Sequence, residues 1–354
     1  MKKILIMLML VLPAVSCERI MNNPRTEDPE ESFIAGEGVF IMNEGNFTWG
    51  NGSVSYFSYD SIKIHNDVFF KVNGRPLGDV PNSMSIYNDY AYIVVNNSGK
   101  VEVVKRNSLE SVTTITGLNS PRNIAIISNS KAYVSSLYSD SLTIIDLTTN
   151  SVSGYINIRR TSEAIAVTGN SAFVSSWYGG DEIMVINTEV DKVIDSVKVG
   201  REPESIVIDK NYILWVLCNG GWARENNAEL VGINTQTHSV MKRHIFSSIL
   251  DSPSSLIING GGDTLFFLEK GIRRMDIEAV QIPSEPFIEE KDHLFYKLGV
   301  NPVNGDIFVT DAVDYQQRGY IYMYNNKGEY LRSCQAGIIP GSLCFKVHPD
   351  RVIE

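Results

Sequence analysis

Residues 131–138 read KAYVSSLY, and forty positions later residues 171–178 read SAFVSSWY. This echo belongs to a longer series of an aliphatic or small residue, an aromatic and an apolar residue. It runs through Val39-Phe40-Ile41, Ala91-Tyr92-Ile93, Ala132-Tyr133-Val134, Ala172-Phe173-Val174, Leu214-Trp215-Val216, Leu265-Phe266-Phe267 and Ile307-Phe308-Val309. The aromatics stand 52, 41, 40, 42, 51 and 42 residues apart. Short β-prone runs at such a period mark one supersecondary unit used repeatedly.

Each unit has the same internal order. A first strand opens near proline, as in PNSMSIY (81), PRNIAII (121), PESIVID (203) and PSSLIIN (253), with SEAIAVT (162) and FYKLGVN (295) as variants lacking it. A turn rich in Asn, Gly and Asp follows, suited to the positive φ of tight hairpins. The aromatic strand, a polar loop, a third strand such as LTIIDLTTN and a weaker fourth complete the unit. Four short antiparallel strands in 40–50 residues describe a propeller blade. Seven aromatic strands are present, but the first has no proline strand before it. PGSLCFKV at 340–347 supplies the missing piece. The expected fold is therefore all-β, a seven-bladed propeller over residues 37–350. Its ring closes by the C-terminal strand joining the N-terminal blade, which hides the sheet edges. Phe40, Tyr92, Tyr133, Phe173, Trp215, Phe266 and Phe308 are expected to pack between blades.

Strand order also assigns the faces. Loops joining strands two and three emerge on the same side as the segments joining one blade to the next. Three of the four tryptophans, Trp49, Trp177 and Trp222, fall in the two–three loops, with Phe47, Tyr138, Tyr178 and Tyr315. Asn43, Asn97, Arg224 and Asp311 accompany them, and the blade-linking segments add Arg122 and Arg201. Exposed aromatics among hydrogen-bonding side chains suit a large, flat, polar ligand held by stacking. The alternative, that each Trp covers its own loop, serves one tryptophan better than three together.

Catalytic signals are few. The five histidines show no HxxxH or HExxH spacing, and no GxSxG elbow or phosphate-binding glycine loop occurs. No metal site and no cofactor are expected, and the chain reads as a non-enzyme. Glu44, Glu163, Glu204, Asp311 and Asp314 are the residues a metal-dependent, lactonase-like hydrolase could use. As salt-bridge partners of nearby arginines they need no metal.

The chain begins MKKILIMLMLVLPAVSC, two lysines followed by an apolar run of signal-peptide length, too short to span a bilayer. AVSC resembles a bacterial lipobox, with Ala14 in place of the usual Leu. The expectation is a signal peptide over 1–16, lipidation at Cys17 and a flexible polar tether over 17–36. An ordinary signal peptide cut near Ser16 is the alternative. The cluster EDPEE resembles an acidic surface-export tag. Removing Lys2 and Lys3 changes the net charge from −10 to −12, which argues against nucleic acid as a partner. Cys218, Cys334 and Cys344 show no zinc spacing; buried free thiols are expected, with a Cys334–Cys344 pair as the alternative.

The phrases PRNIAIISNSKAYVSSLYSDSLTIIDLTTNSVSGYINI and SEAIAVTGNSAFVSSWYGGDEIMVINTEVDKVIDSVKVG resemble the YncE-like, surface-layer-type seven-bladed propellers over most of residues 38–347. With the lipobox and tether, the chain resembles the Bacteroidetes lipoprotein branch that includes BtuG-type proteins. That resemblance implies an outer-membrane lipoprotein exposed at the cell surface and held to the membrane by its lipid alone. It further implies capture of cobalamin, or another corrinoid, as ligand rather than cofactor. Hand-over to a TonB-dependent outer-membrane transporter follows from the same likeness. A protein-interaction or glycan-binding platform is the alternative.

Overall fold

The computed structural model describes residues 34–348. Twenty-eight strands form seven four-stranded antiparallel sheets arranged as propeller blades. Six blades are contiguous in sequence. The remaining one is built in the order Pro340–Lys346, Gly38–Asn43, Ser53–Ser58 and Lys63–His65. We number this closing blade 1 and the others 2 to 7 along the chain. The C-terminal strand runs antiparallel to the first, pairing Gly38 with Lys346 and Ile41 with Leu343, as the terminal complement predicts.

The second strands are buried on both sides. All seven phrase aromatics are buried, and each belongs to a different one of seven apolar clusters. In blade 1, Phe40 and Met42 face blade 2 while Val39 and Ile41 face blade 7. Strand alternation thus sends successive side chains into two different interfaces, which explains why these strands read as continuous apolar runs. Trp215 adds a polar anchor, its indole donating to Asp209 at 2.8 Å.

Small polar side chains join the innermost strands of neighbouring blades. Ser342 donates to the Asn82 carbonyl at 2.7 Å, Ser83 to that of Arg122 at 2.8 Å, and Asn123 to that of Glu163 at 3.1 Å. The residue before the strand-opening proline lies in the left-handed region four times, at Val80, Ser120, Glu202 and Ile339. Such φ values are uncommon, most of all for β-branched residues, and they mark the sharp corner from the outer edge of one blade to the centre of the next. A helix over Val68–Asn73 sits in the segment between blades 1 and 2 and accounts for part of the longer spacing between Phe40 and Tyr92.

Cys17 and the expected signal peptide lie outside the described residues. The described chain already begins inside the fold: Ile34 is fully buried in the cluster between blades 1 and 2. The packed region therefore reaches back into the last positions expected for the tether. Cys218, Cys334 and Cys344 are free thiols, so the alternative pairing does not occur. Lys346 ends the closing strand almost wholly buried, with its ammonium donating to the carbonyls of Ile34 and, at 2.8 Å, Ala35.

Burial, with Arg106 nearby, pushes the Lys346 pKa from 10.5 down to about 8 against an opposing pull from Asp60. Between these values the unfolded chain holds a proton that the folded chain has released, so stability rises with pH across that window. The contribution is on the order of 3 kcal/mol. Urea unfolding of wild type and Lys346→Met at pH 7.5 and 9.5 is expected to show a smaller rise in the variant. Equal rises would contradict this assignment.

Candidate functional site

The position after the strand-opening proline, or after Ser162 and Phe295 where blades 4 and 7 lack it, recurs in every blade and faces the axis. Asn82, Arg122, Glu163, Glu204, Ser254 and Tyr296 occupy it in blades 2 to 7, and all line the central cavities. Blade 1 has Gly341 there. A Cβ would stand 3.0 Å from Glu44 Oε1, so the missing side chain makes room for Glu44 to complete the ring. Below the ring a channel of about 440 Å³ is walled by the inner strands, with Asn123, Ser205, Ser255 and Ser342 among its polar residues.

Charges at the channel mouth are arranged in pairs. Arg122 donates to Glu163 through Nε at 2.8 Å and Nη2 at 2.9 Å. Burial opposes the charge on Arg122, but the Glu163 carboxylate offsets it and holds the guanidinium pKa above its ordinary value. Lys297 reaches Glu204 at 3.4 Å, and the same carboxylate accepts the Ser255 N–H at 2.9 Å. Glu44 accepts the Tyr296 hydroxyl at 2.9 Å. Burial raises the Glu44 pKa despite that bond, and burial beside Glu44 pushes Tyr296 up as well.

Above the mouth, the two–three loops enclose a cavity of about 630 Å³. It is lined by Arg122, Glu163, Glu204 and Lys297 below, and by Trp177, Asn219, Trp222, Arg224, Ser252 and Tyr315 around the side. Tyr315 packs edge-on against Tyr296, with centroids 5.7 Å apart. The blade 5 loop that carries Trp222 is shaped by Gly220 and Gly221, at φ of 89° and 101°. A Cβ on Gly221 would meet the Glu225 carboxylate at 2.1 Å.

Five residues expected at the ligand face line this one cavity: Arg122, Trp177, Trp222, Arg224 and Tyr315. Phe47, Trp49, Asn97, Tyr138 and Tyr178 lie on the same face and are exposed, outside the cavity wall. Trp222 is 87% exposed, Trp49 76%, Tyr178 74% and Tyr138 72%, so these rings do not fold back over their own loops. Arg201 lies beneath two loops, donating to the Gly179 carbonyl at 2.7 Å.

Asn43 and Asp311 depart from the expectation. Asn43 is fully buried, donating to Ser55 Oγ at 2.9 Å and accepting the Gly337 N–H at 2.9 Å, and so ties blade 1 to blade 7. Asp311 is buried at a strand end, its carboxylate accepting the Leu294 and Val313 N–H groups and facing His293 at 3.3 Å. Each stands at the last position of a second strand, where the chain is still inside the blade. Sequence reasoning did not find Tyr296, Lys297, Asn219 or Ser252. The first two were findable, because FYKLGVN fills the proline-strand slot and places Tyr296 at the ring position.

A separate cleft of about 550 Å³ lies between blades 6 and 7 on the opposite face, among hairpin turns at 259–261 and 302–305. Its aromatic, Phe266, belongs to the core. Among the described residues no three His, Cys, Asp or Glu side chains gather as a metal-binding group. No helix in the described region is long and apolar enough to cross a membrane.

The sequence matches the family model described as a domain of unknown function, DUF5074, over residues 37–338. The chain belongs to the DUF5074 family. The matched region covers six whole blades and stops just short of the closing strand, which the fold shows to be integral to blade 1. No curated protein matches the chain. Among solved structures it is similar to a quinoprotein alcohol dehydrogenase-like protein from Bacteroides thetaiotaomicron, with a TM-score of 0.68 and 14% identity over 89% of this chain and 79% of that one. A functionally unknown protein from Desulfotomaculum acetoxidans gives 0.68 and 11% over 88% and 99%. The periplasmic gluconolactonase of Pseudomonas aeruginosa gives 0.66 and 12% over 88% and 100%. At these identities the likeness extends to the fold alone.

Proposed function

We propose that this DUF5074 propeller is a binding protein that captures a large, polar, partly flat molecule on its two–three loop face, with a corrinoid such as cobalamin as the leading ligand. The carrying observation is a polar cavity on a rigid scaffold, lined by Trp177, Trp222 and Tyr315, with the exposed rings of Trp49, Tyr138 and Tyr178 on the same face outside its wall. Exposed rings of this size find favourable burial against a ligand face. The Arg, Lys, Asn, Ser and indole donors between them suit a rim of amide carbonyls. At the mouth, Glu163, Glu204 and Glu44 each have a partner of their own, which favours binding over the hydrolysis named for the gluconolactonase neighbour.

The lipobox-like segment supports anchoring through a lipid on Cys17 and display at the outer membrane, from which ligand would pass to a TonB-dependent transporter. Radiolabelled palmitate incorporated by wild type and not by Cys17→Ser checks the anchor; equal labelling removes it. Calorimetry with cyanocobalamin at micromolar protein checks the ligand. Saturable heat is expected. Absence of heat, with retained binding to a glycan array, would replace the corrinoid with an oligosaccharide on the same aromatic face.

A further inference from the structure

The two aromatic loops flanking the cavity, residues 175–181 of blade 4 and 219–228 of blade 5, are both held by one dipeptide, Arg201-Glu202, in the segment between those blades. The Glu202 side chain accepts the Gly179 N–H at 3.3 Å from the first loop and the Trp222 N–H at 2.9 Å from the second. Its own N–H donates to the Gly180 carbonyl at 2.7 Å, and its carbonyl accepts the Asn219 N–H at 3.2 Å. Arg201 does the same, donating to the Gly179 carbonyl at 2.7 Å while its carbonyl accepts the Gly220 N–H at 3.2 Å. Its guanidinium also stands 3.7 Å from Glu225 in the second loop.

Glu202 is buried, in the left-handed region with φ of 52°. In that conformation the backbone and the carboxylate each bond to both loops. Hydrogen bonds from backbone N–H groups to an ionised carboxylate are among the stronger ones. Where the first and second blades meet, Asp79 plays a matching part. Buried in the linker, it accepts the Thr48 N–H at 2.8 Å from the Phe47–Trp49 loop and the Asn97 side-chain amide from the next.

We infer that Glu202 is a positioning residue: it fixes the loops bearing Trp177 and Trp222 as one unit, so that both rings are set before ligand arrives. The inference rests on the binding function proposed above. Setting two loops in advance removes their ordering cost from association, and its loss is expected to weaken binding about tenfold.

Hydrogen exchange of the full chain tests the coupling without any ligand. Glu202→Ala keeps the backbone burden of a non-glycine residue at positive φ and the two backbone bonds, while removing the two carboxylate bonds, one to each loop. Exchange is expected to rise in 177–181 and 219–224 together, with the core strands unchanged. Glu202→Gln, isosteric and left with one acceptor oxygen, is expected to fall between wild type and Ala, and it decides the matter alone if the Ala variant does not fold. A rise in one loop only, or in neither, overturns the inference. So does unchanged cyanocobalamin affinity in a variant whose loops have loosened. If wild type binds no cyanocobalamin while both loops loosen together, the coupling stands and the corrinoid reading is what fails.

Discussion

A chain ending at Ile339 is expected to lose the cooperative unfolding transition of the full protein. Removing Pro340–Lys346 leaves the Gly38–Asn43 strand without its inner partner and opens the ring. Leu343 and Phe345 pack in the interface between blades 7 and 1, and Cys344 packs against that between blades 1 and 2. Phe345 sits edge-on to Phe308, with centroids 5.4 Å apart, and Ser342 joins blade 2 through the Asn82 carbonyl. Each such apolar side chain contributes about 1–2 kcal/mol, and the lost strand hydrogen bonds add about 1 kcal/mol each. The sum is comparable with the whole stability of an ordinary domain, about 5–15 kcal/mol. Scanning calorimetry should show no sharp transition for the truncated chain, and co-expressed residues 340–354 should restore it. An unchanged midpoint would mean that the ring does not depend on this strand.

Replacing Trp177 and Trp222 together by alanine is expected to weaken cyanocobalamin binding roughly 100-fold while leaving the thermal midpoint in place. Neither ring belongs to an interblade cluster, and Trp222 is almost wholly exposed. Their removal therefore costs the fold little. At an interface a buried aromatic anchor is worth about 1–2 kcal/mol or more, so two together reach the stated factor. Each single variant should lose about tenfold. Titration calorimetry of the three variants against wild type measures this, and undiminished affinity in the double variant would place the ligand elsewhere.

The fold was legible because packing repeats itself. Seven aromatics must fill seven equivalent interfaces, so the phrase persists from Phe40 to Phe308 and the terminal complement at Pro340 closes the count. The two–three loop face was legible too, since strand order alone assigns it and Trp177 and Trp222 meet over one cavity. What escaped depends on distances that no repeat reports. Asn43 and Asp311 sit one residue before their loops, and a single position separates a buried tie from an exposed contact. Tyr296 and Lys297 were missed although findable, because blade 7, like blade 4, opens its inner strand without the proline that marks the ring position elsewhere. Glu202 carries no sequence signal of its own; its role comes from two loops, one on either side, that converge on it in space.

Ligand is expected on the aromatic loop face over the channel mouth. A crystal structure of the protein soaked with cyanocobalamin tests it most directly. Density is expected over the cavity lined by Trp177, Trp222 and Tyr315, with hydrogen bonds from Arg224 or Asn219 to the ligand's amide rim. Density confined to the opposite face, or a clear loop face in crystals shown to have taken up the compound, would contradict it.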